Sequence, residues 1–213
     1  MPLPSRTEID KLNEIVLRTF FSRFIPQPQI PLEQQLENLA TCGIRLKPEF
    51  SVATLLEEFS RERYEQRPYV GAIIAMAGED NNGTPLSDSL FHLDTETFDS
   101  AGAYAHLARR LRDLAQGDLP IENLEDHFDP ANGDAWLAFD LRGERIEWHA
   151  RVKDNWIDPE ILANFCALLK AQNTARRYTY CDLKGSNCII GCATEDELRQ
   201  LRKMTGMNFT WLE

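Results

Sequence analysis

The chain has 213 residues, 43% of them hydrophobic and 27% charged, which is enough apolar material to close an ordinary globular core. Its longest uncharged apolar run, Tyr69 to Gly78, is 10 residues long against the roughly 20 of a bilayer-spanning helix, and no apolar segment follows Met1-Pro-Leu-Pro-Ser-Arg. A soluble, cytoplasmic protein without a leader is expected. The net charge of −11 resides in the middle: residues 1–67 carry 9 Lys and Arg against 10 Asp and Glu, residues 142–213 carry 11 against 10, and residues 68–141 carry 3 against 14. A field of that sign repels nucleic acid and anionic lipid and attracts a basic partner or a divalent cation.

In chain order, Ile9, Leu12, Val16 and Phe20 recur at spacings of three and four, which predicts a first helix from about Ser5 that stops before Pro26-Gln-Pro28. A second helix starts at Pro31, buries Leu32, Leu36 and Leu39, and ends at Gly43; Ser51 caps a third with Leu55, Leu56 and Phe59 inward. Val70 to Ala77 is apolar throughout, and its period does not separate a buried strand from a buried helix. A turn-rich loop follows, then a strand from Ser89 to Thr95 and a helix capped by Ser100 with Tyr104, Leu107, Leu111 and Leu114 on one side. Residues 118–134 read as acidic and irregular.

Beyond them, Ala135, Leu137, Phe139 and Leu141 alternate on one strand and Ile146, Trp148, Ala150 and Val152 on the next, with Arg142-Gly143 at the turn, so a β-hairpin is predicted. Asp158-Pro159 opens a helix, Arg177–Leu183 and Cys188–Ala193 form strands, and Thr194 with Glu197 makes a capping box for a helix ending at Gly206 before a final strand, Asn208–Leu212. The fold class is α+β: a mostly antiparallel sheet with helices on one face, preceded by a helical N-terminal region. Residues 1–66 form that region and 67–213 the α+β domain, or both form one domain.

The cysteines, Cys42, Cys166, Cys181, Cys188 and Cys192, are odd in number and include no Cys-x-x-Cys pair, so free thiols in a reducing compartment are expected and zinc is not. No P-loop, Gly-x-Gly-x-x-Gly, Gly-x-Ser-x-Gly or triad spacing around His106 or His149 is present, and no cofactor is expected.

The run Phe91-His-Leu-Asp-Thr-Glu-Thr97 resembles the first motif of the DEDD 3′-5′ exonucleases, whose Asp-x-Glu on a strand holds two divalent metals. Strand alternation would put His92, Asp94 and Glu96 on one face, and the resemblance implies a metal-dependent hydrolase or nuclease centred there. It covers seven residues within the acidic third, whereas that family needs further aspartates, for which Asp140 is the one strand candidate, and a basic groove.

In its compact acidic α+β character, its one-sign surface segment and its lack of a complete catalytic motif, the chain resembles the immunity proteins that neutralise bacterial toxins, and the C-terminal run from Arg176-Arg-Tyr-Thr-Tyr-Cys-Asp-Leu to Trp211-Leu is similar to uncharacterised bacterial domains. That resemblance implies a protein that sequesters or inhibits a basic partner, such as a toxin domain. The binding candidates are Glu122, Glu125, Asp126 and Asp129, with Trp156 as an aromatic anchor. A structural or adaptor domain is the third reading.

Overall fold

The computed structural model describes residues 29–213, so the helix predicted from Ser5 lies outside the described residues. Four helices come first: α1 (Leu32–Ala40), α2 (Val52–Glu58), α3 (Arg61–Gln66) and α4 (Val70–Ala77). Ser51 and Thr54 form a reciprocal capping box on α2, and the Ser60 hydroxyl accepts from the Arg63 N–H at the start of α3. Gln35, fully buried in α1, ties three of these helices together. Its amide donates to the carbonyls of Ile30 and Tyr64, and its oxygen accepts from the Tyr69 N–H at 2.7 Å. Tyr69 is left-handed at φ 76, an uncommon geometry for a bulky residue, and the Gln35 bond satisfies its backbone there. The chain thereby enters Val70–Ala77 as a helix, buried from Gly71 to Ala77.

The remaining elements are β1 (Leu90–Asp94), α5 (Ala103–Leu114), β2 (Ile121–Asp129), β3 (Asp134–Leu141), β4 (Glu144–His149), α6 (Pro159–Ala171), β5 (Arg177–Lys184), β6 (Asn187–Ala193), α7 (Glu195–Thr205) and β7 (Thr210–Trp211). The fold is α+β with antiparallel pairing throughout the described residues. The strands divide into two sheets, four-stranded in the order β1-β6-β5-β7 and three-stranded in the order β2-β3-β4.

Helices line both faces of the larger sheet, where helices on a single face were expected. Leu90, Cys181, Leu183 and Ile189 point into one core with α1–α4 and α7, while Phe91, Leu93, Tyr178, Cys188 and Ile190 point into a second core with α5, α6 and the inner face of the smaller sheet. The near-continuous apolar run of β6 is what burial on two sides demands, and the alternation of β4 is what burial on one side demands. Gly191 is needed at the centre of β6, where a Cβ would come within 2.8 Å of Thr179 Oγ1. Leu32, Leu39, Leu55 and Tyr64 share a core with Leu90 and Ile189, so the helices of residues 32–66 pack on the sheet. Among the described residues, no helix is long and apolar enough to cross a membrane.

Candidate functional site

Residues 118–134, expected to be irregular, contain the strand β2. Its alternation is hidden because its outward positions are acids and histidine and one of its inward positions is Asp126. The β3–β4 hairpin turns through Arg142 (φ 53) and Gly143 (φ 86), the paired left-handed residues of a type I′ turn. Residues paired across strands share a face, so the register defines two surfaces. Inward lie Ile121, Phe128, Ala135, Leu137, Phe139, Ile146 and Trp148.

The outward face consists of rows across the sheet. Glu122 pairs with Asp140 and Asp140 with Arg145; Glu125 pairs with Ala138 and Ala138 with Glu147; His127 pairs with Trp136 and Trp136 with His149; Asp129 pairs with Asp134. A bulge between Glu122 and Glu125, with Asn123 at φ 50, inserts the extra residue that keeps both glutamates on this face.

Six carboxylates, Glu122, Glu125, Asp129, Asp134, Asp140 and Glu147, share this face with one arginine. Arg145 reaches Glu125 at 2.7 Å and Asp140 at 3.4 Å. The Asn123 amide, followed by Arg145, holds Asp140 below the ordinary carboxylate range, and the Asn132 side chain does the same for Asp129. Through the middle runs an aromatic row: the His127 ring stacks on Trp136 at 5.8 Å between centroids, and His149 lies on the opposite side of Trp136. The two imidazoles point their Nε2 atoms toward Asp134 and Glu147, at 3.7 and 3.3 Å. These pairs are solvent-exposed, so each is weak and salt-sensitive.

Three of the four predicted partner-binding acids, Glu122, Glu125 and Asp129, are thus brought together, and Asp126 is not. Its carboxylate turns inward, accepting the Gly102 N–H at 2.8 and 2.9 Å and the Ala105 N–H at 3.1 Å. It therefore caps α5. The expected cap, Ser100, does not do so: the N-cap is the left-handed Gly102, and the acceptor comes from β2. Sequence reasoning missed Trp136, Asp140, Arg145, Glu147 and His149 as members of the acidic site. The signal for the β4 members was present in the alternation of Arg145, Glu147 and His149 with Ile146 and Trp148.

Trp156 stands apart, 43% exposed in the loop before α6 and the one exposed large apolar side chain among the described residues. Its loop is bonded to the turn after β1, since Phe98 N–H donates to Asn155 O and Ile157 N–H to Thr95 O, each at 2.9 Å. The candidate metal residues lie beside it. His92 and Asp94 are on β1, but Glu96 falls in the turn, its N–H donated to Asp94 Oδ1 at 3.0 Å, so the expected single strand face does not form. Surrounding protein lowers the His92 pKa against the pull of Asp94 and Asn187, although the ring is exposed. Among the described residues, no group of three or more His, Cys, Asp or Glu is placed to hold a metal ion.

The five cysteines are free, and burial raises Cys166 and Cys181 to about 11 and Cys188 and Cys192 to about 12, which suits packing rather than nucleophilic work. Arg110 in α5 is buried, donating Nη2 to Ser87 O and Leu90 O at 3.0 and 2.9 Å, with Asp88 3.9 Å from Nη1. Burial lowers its pKa, and its Nε and Nη1 make no hydrogen bond within the described residues. Asp88 also binds Lys47 at 3.0 Å on the wall of an open cleft of about 500 Å³.

Fold and site together define an antiparallel α+β protein with an open, acidic sheet face. Compared with known proteins, the chain matches no family model, no curated protein and no solved structure.

Proposed function

We propose that the protein is an acidic binding protein whose three-stranded sheet face captures a basic protein partner, in the manner of immunity proteins that neutralise toxin domains. The observation that carries this reading is the placement of like charges directly opposite one another, Glu122 against Asp140 and Asp129 against Asp134, on the solvent face of a regular sheet. Such pairs destabilise a sheet. Here Asn123, Arg145 and Asn132 offset part of that cost, and a cationic partner surface offsets the remainder on binding. Trp136, flanked by two imidazoles in the middle of the acids, supplies the aromatic anchor that charge alone lacks.

The test uses the partner recovered from the native host. Its association and dissociation rates are measured against wild type and a Glu122→Lys/Glu125→Lys/Glu147→Lys variant at low and high salt. Association with the variant should slow about tenfold or more at low salt and lose most of its salt dependence, with dissociation little changed. Trp136→Ala should instead act mainly on dissociation. An unchanged association rate with an unchanged salt slope in the triple variant overturns the proposal.

A further inference from the structure

The acidic face ends at β4, and that strand differs from the other edge of its sheet. The N–H of Ala150 donates to Ala135 O at 2.8 Å, which fixes the hydrogen-bond phase of the hairpin. Alternation along an antiparallel ladder then assigns the backbone of Glu144, Ile146 and Trp148 to β3 and turns the N–H and C=O of Arg145, Glu147 and His149 outward.

Proteins blunt such edges with bulges, prolines, lysines or a covering element. The β2 edge is blunted: it carries the Glu122/Glu125 bulge and lends Asp126 to α5. The six residues of β4 contain no proline and no lysine, keep unbroken register with β3, and form the last strand of the sheet among the described residues.

The side chains say what an added strand would carry. On the outer face Arg145 is already engaged by Glu125 and Asp140, which leaves Glu147 as the acid at the middle of the edge, 52% exposed. On the inner face Ile146 and Trp148 are only partly buried against the second core.

We infer that β4 is a docking edge, where an extended segment of the partner, with basic residues alternating with apolar ones, adds to the sheet as an antiparallel fourth strand. Basic side chains then lie opposite Glu147 on the acidic face, apolar ones extend the cover over Ile146 and Trp148, and backbone bonds to Arg145, Glu147 and His149 supply affinity. This inference rests on the reading that the partner is basic.

The probe is a capped ten-residue peptide of alternating Lys and Val, compared with two versions N-methylated at every Lys or at every Val. In antiparallel addition the Lys amides bond to β4 and the Val amides point away. Methylation at Lys should therefore weaken binding tenfold or more, and methylation at Val should leave it within about threefold. Hydrogen exchange of the folded protein should slow at Arg145, Glu147 and His149 when the parent peptide binds. Glu147→Pro removes one outward N–H without touching the β3 ladder, and should also cost tenfold in affinity while the free protein keeps its melting temperature.

Equal binding by both methylated peptides, protection at another strand edge, or no binding at millimolar peptide each overturns the docking edge. A concentration-dependent dimer abolished by Glu147→Pro overturns the choice of occupant, because a second copy would then hold the edge. The two proposals separate through Glu122 and Asp129, which lie on β2 at the two ends of the acidic face. If reversing those two slows partner association while methylation and Glu147→Pro change nothing, the acidic face stands and the edge falls.

Discussion

Two acids four residues apart in β2, Glu122 and Asp126, do opposite work, and the difference can be measured. Asp126 accepts three backbone contacts at the start of α5, so Asp126→Ala should cost about 1–2 kcal/mol, the range for losing a helix cap. Glu122, on the outer face, should tolerate Lys within about 0.5 kcal/mol, which urea unfolding of both variants would show. Asp158 offers a test by pH. Burial works to raise its pKa, but bonds from the Arg151 side chain and N–H and from the Glu160 N–H prevail and hold the carboxyl below the ordinary aspartate range. Its stabilisation is therefore full above the unfolded pKa of about 3.9 and is lost as pH falls through the lower native value. Asp158→Asn should lower stability by about 1 kcal/mol at pH 6, a modest figure because Arg151 is 74% exposed, and the gap to wild type should close toward pH 2. A gap that persisted at pH 2 would assign the effect to packing. Asp158-Pro159 could be read from sequence because its signal is local; the inward turn of Asp126 could not, because its acceptor role is defined by a helix 21 residues away.

Signals at the scale of elements were legible where each element carried its own pattern. The β3–β4 hairpin, the Thr194/Glu197 capping box and the Gly206 terminus of α7 all stand where alternation, spacing and glycine put them. Two elements carried no such pattern. Val70–Ala77 is apolar on every side because it is surrounded, and β2 is polar on one face and interrupted by a bulge, so neither shows a period. The end of β1 bears on the metal reading in the same way. Strand pairing stops with Asp94 opposite Asn187, and Glu96 turns away. Millimolar Mg²⁺ or Mn²⁺ should therefore leave the melting temperature unchanged, since a ligand that binds the folded state stabilises it by mass action. A saturable rise abolished by Asp94→Ala would restore the hydrolase reading.

At the scale of the molecule, one sheet separates two cores, an arrangement that depends on which strands pair and was not visible in any single segment. Sharing β5 and β6 couples the two: Cys181 and Ile189 face one core, Cys188 and Ile190 the other, on the same two strands. The thiols report each core separately, because Cys42 and Cys181 lie in the first and Cys188 in the second, and burial raises the pKa of all three. Alkylation in native buffer should then be slow at every site and accelerate only as the protein opens. Leu39→Ala, in the helical layer, and Phe165→Ala, across the sheet, should each cost about 3–5 kcal/mol through the cavity left behind. If the cores open together, either substitution raises the alkylation of Cys42, Cys181 and Cys188 by similar factors, resolved by mass spectrometry of the labelled peptides. Leu39→Ala exposing Cys42 while Cys181 and Cys188 stay protected would instead define the helices of residues 32–66 as a separately unfolding unit. Acceleration at both Cys42 and Cys181 without Cys188 would place the boundary in the sheet itself.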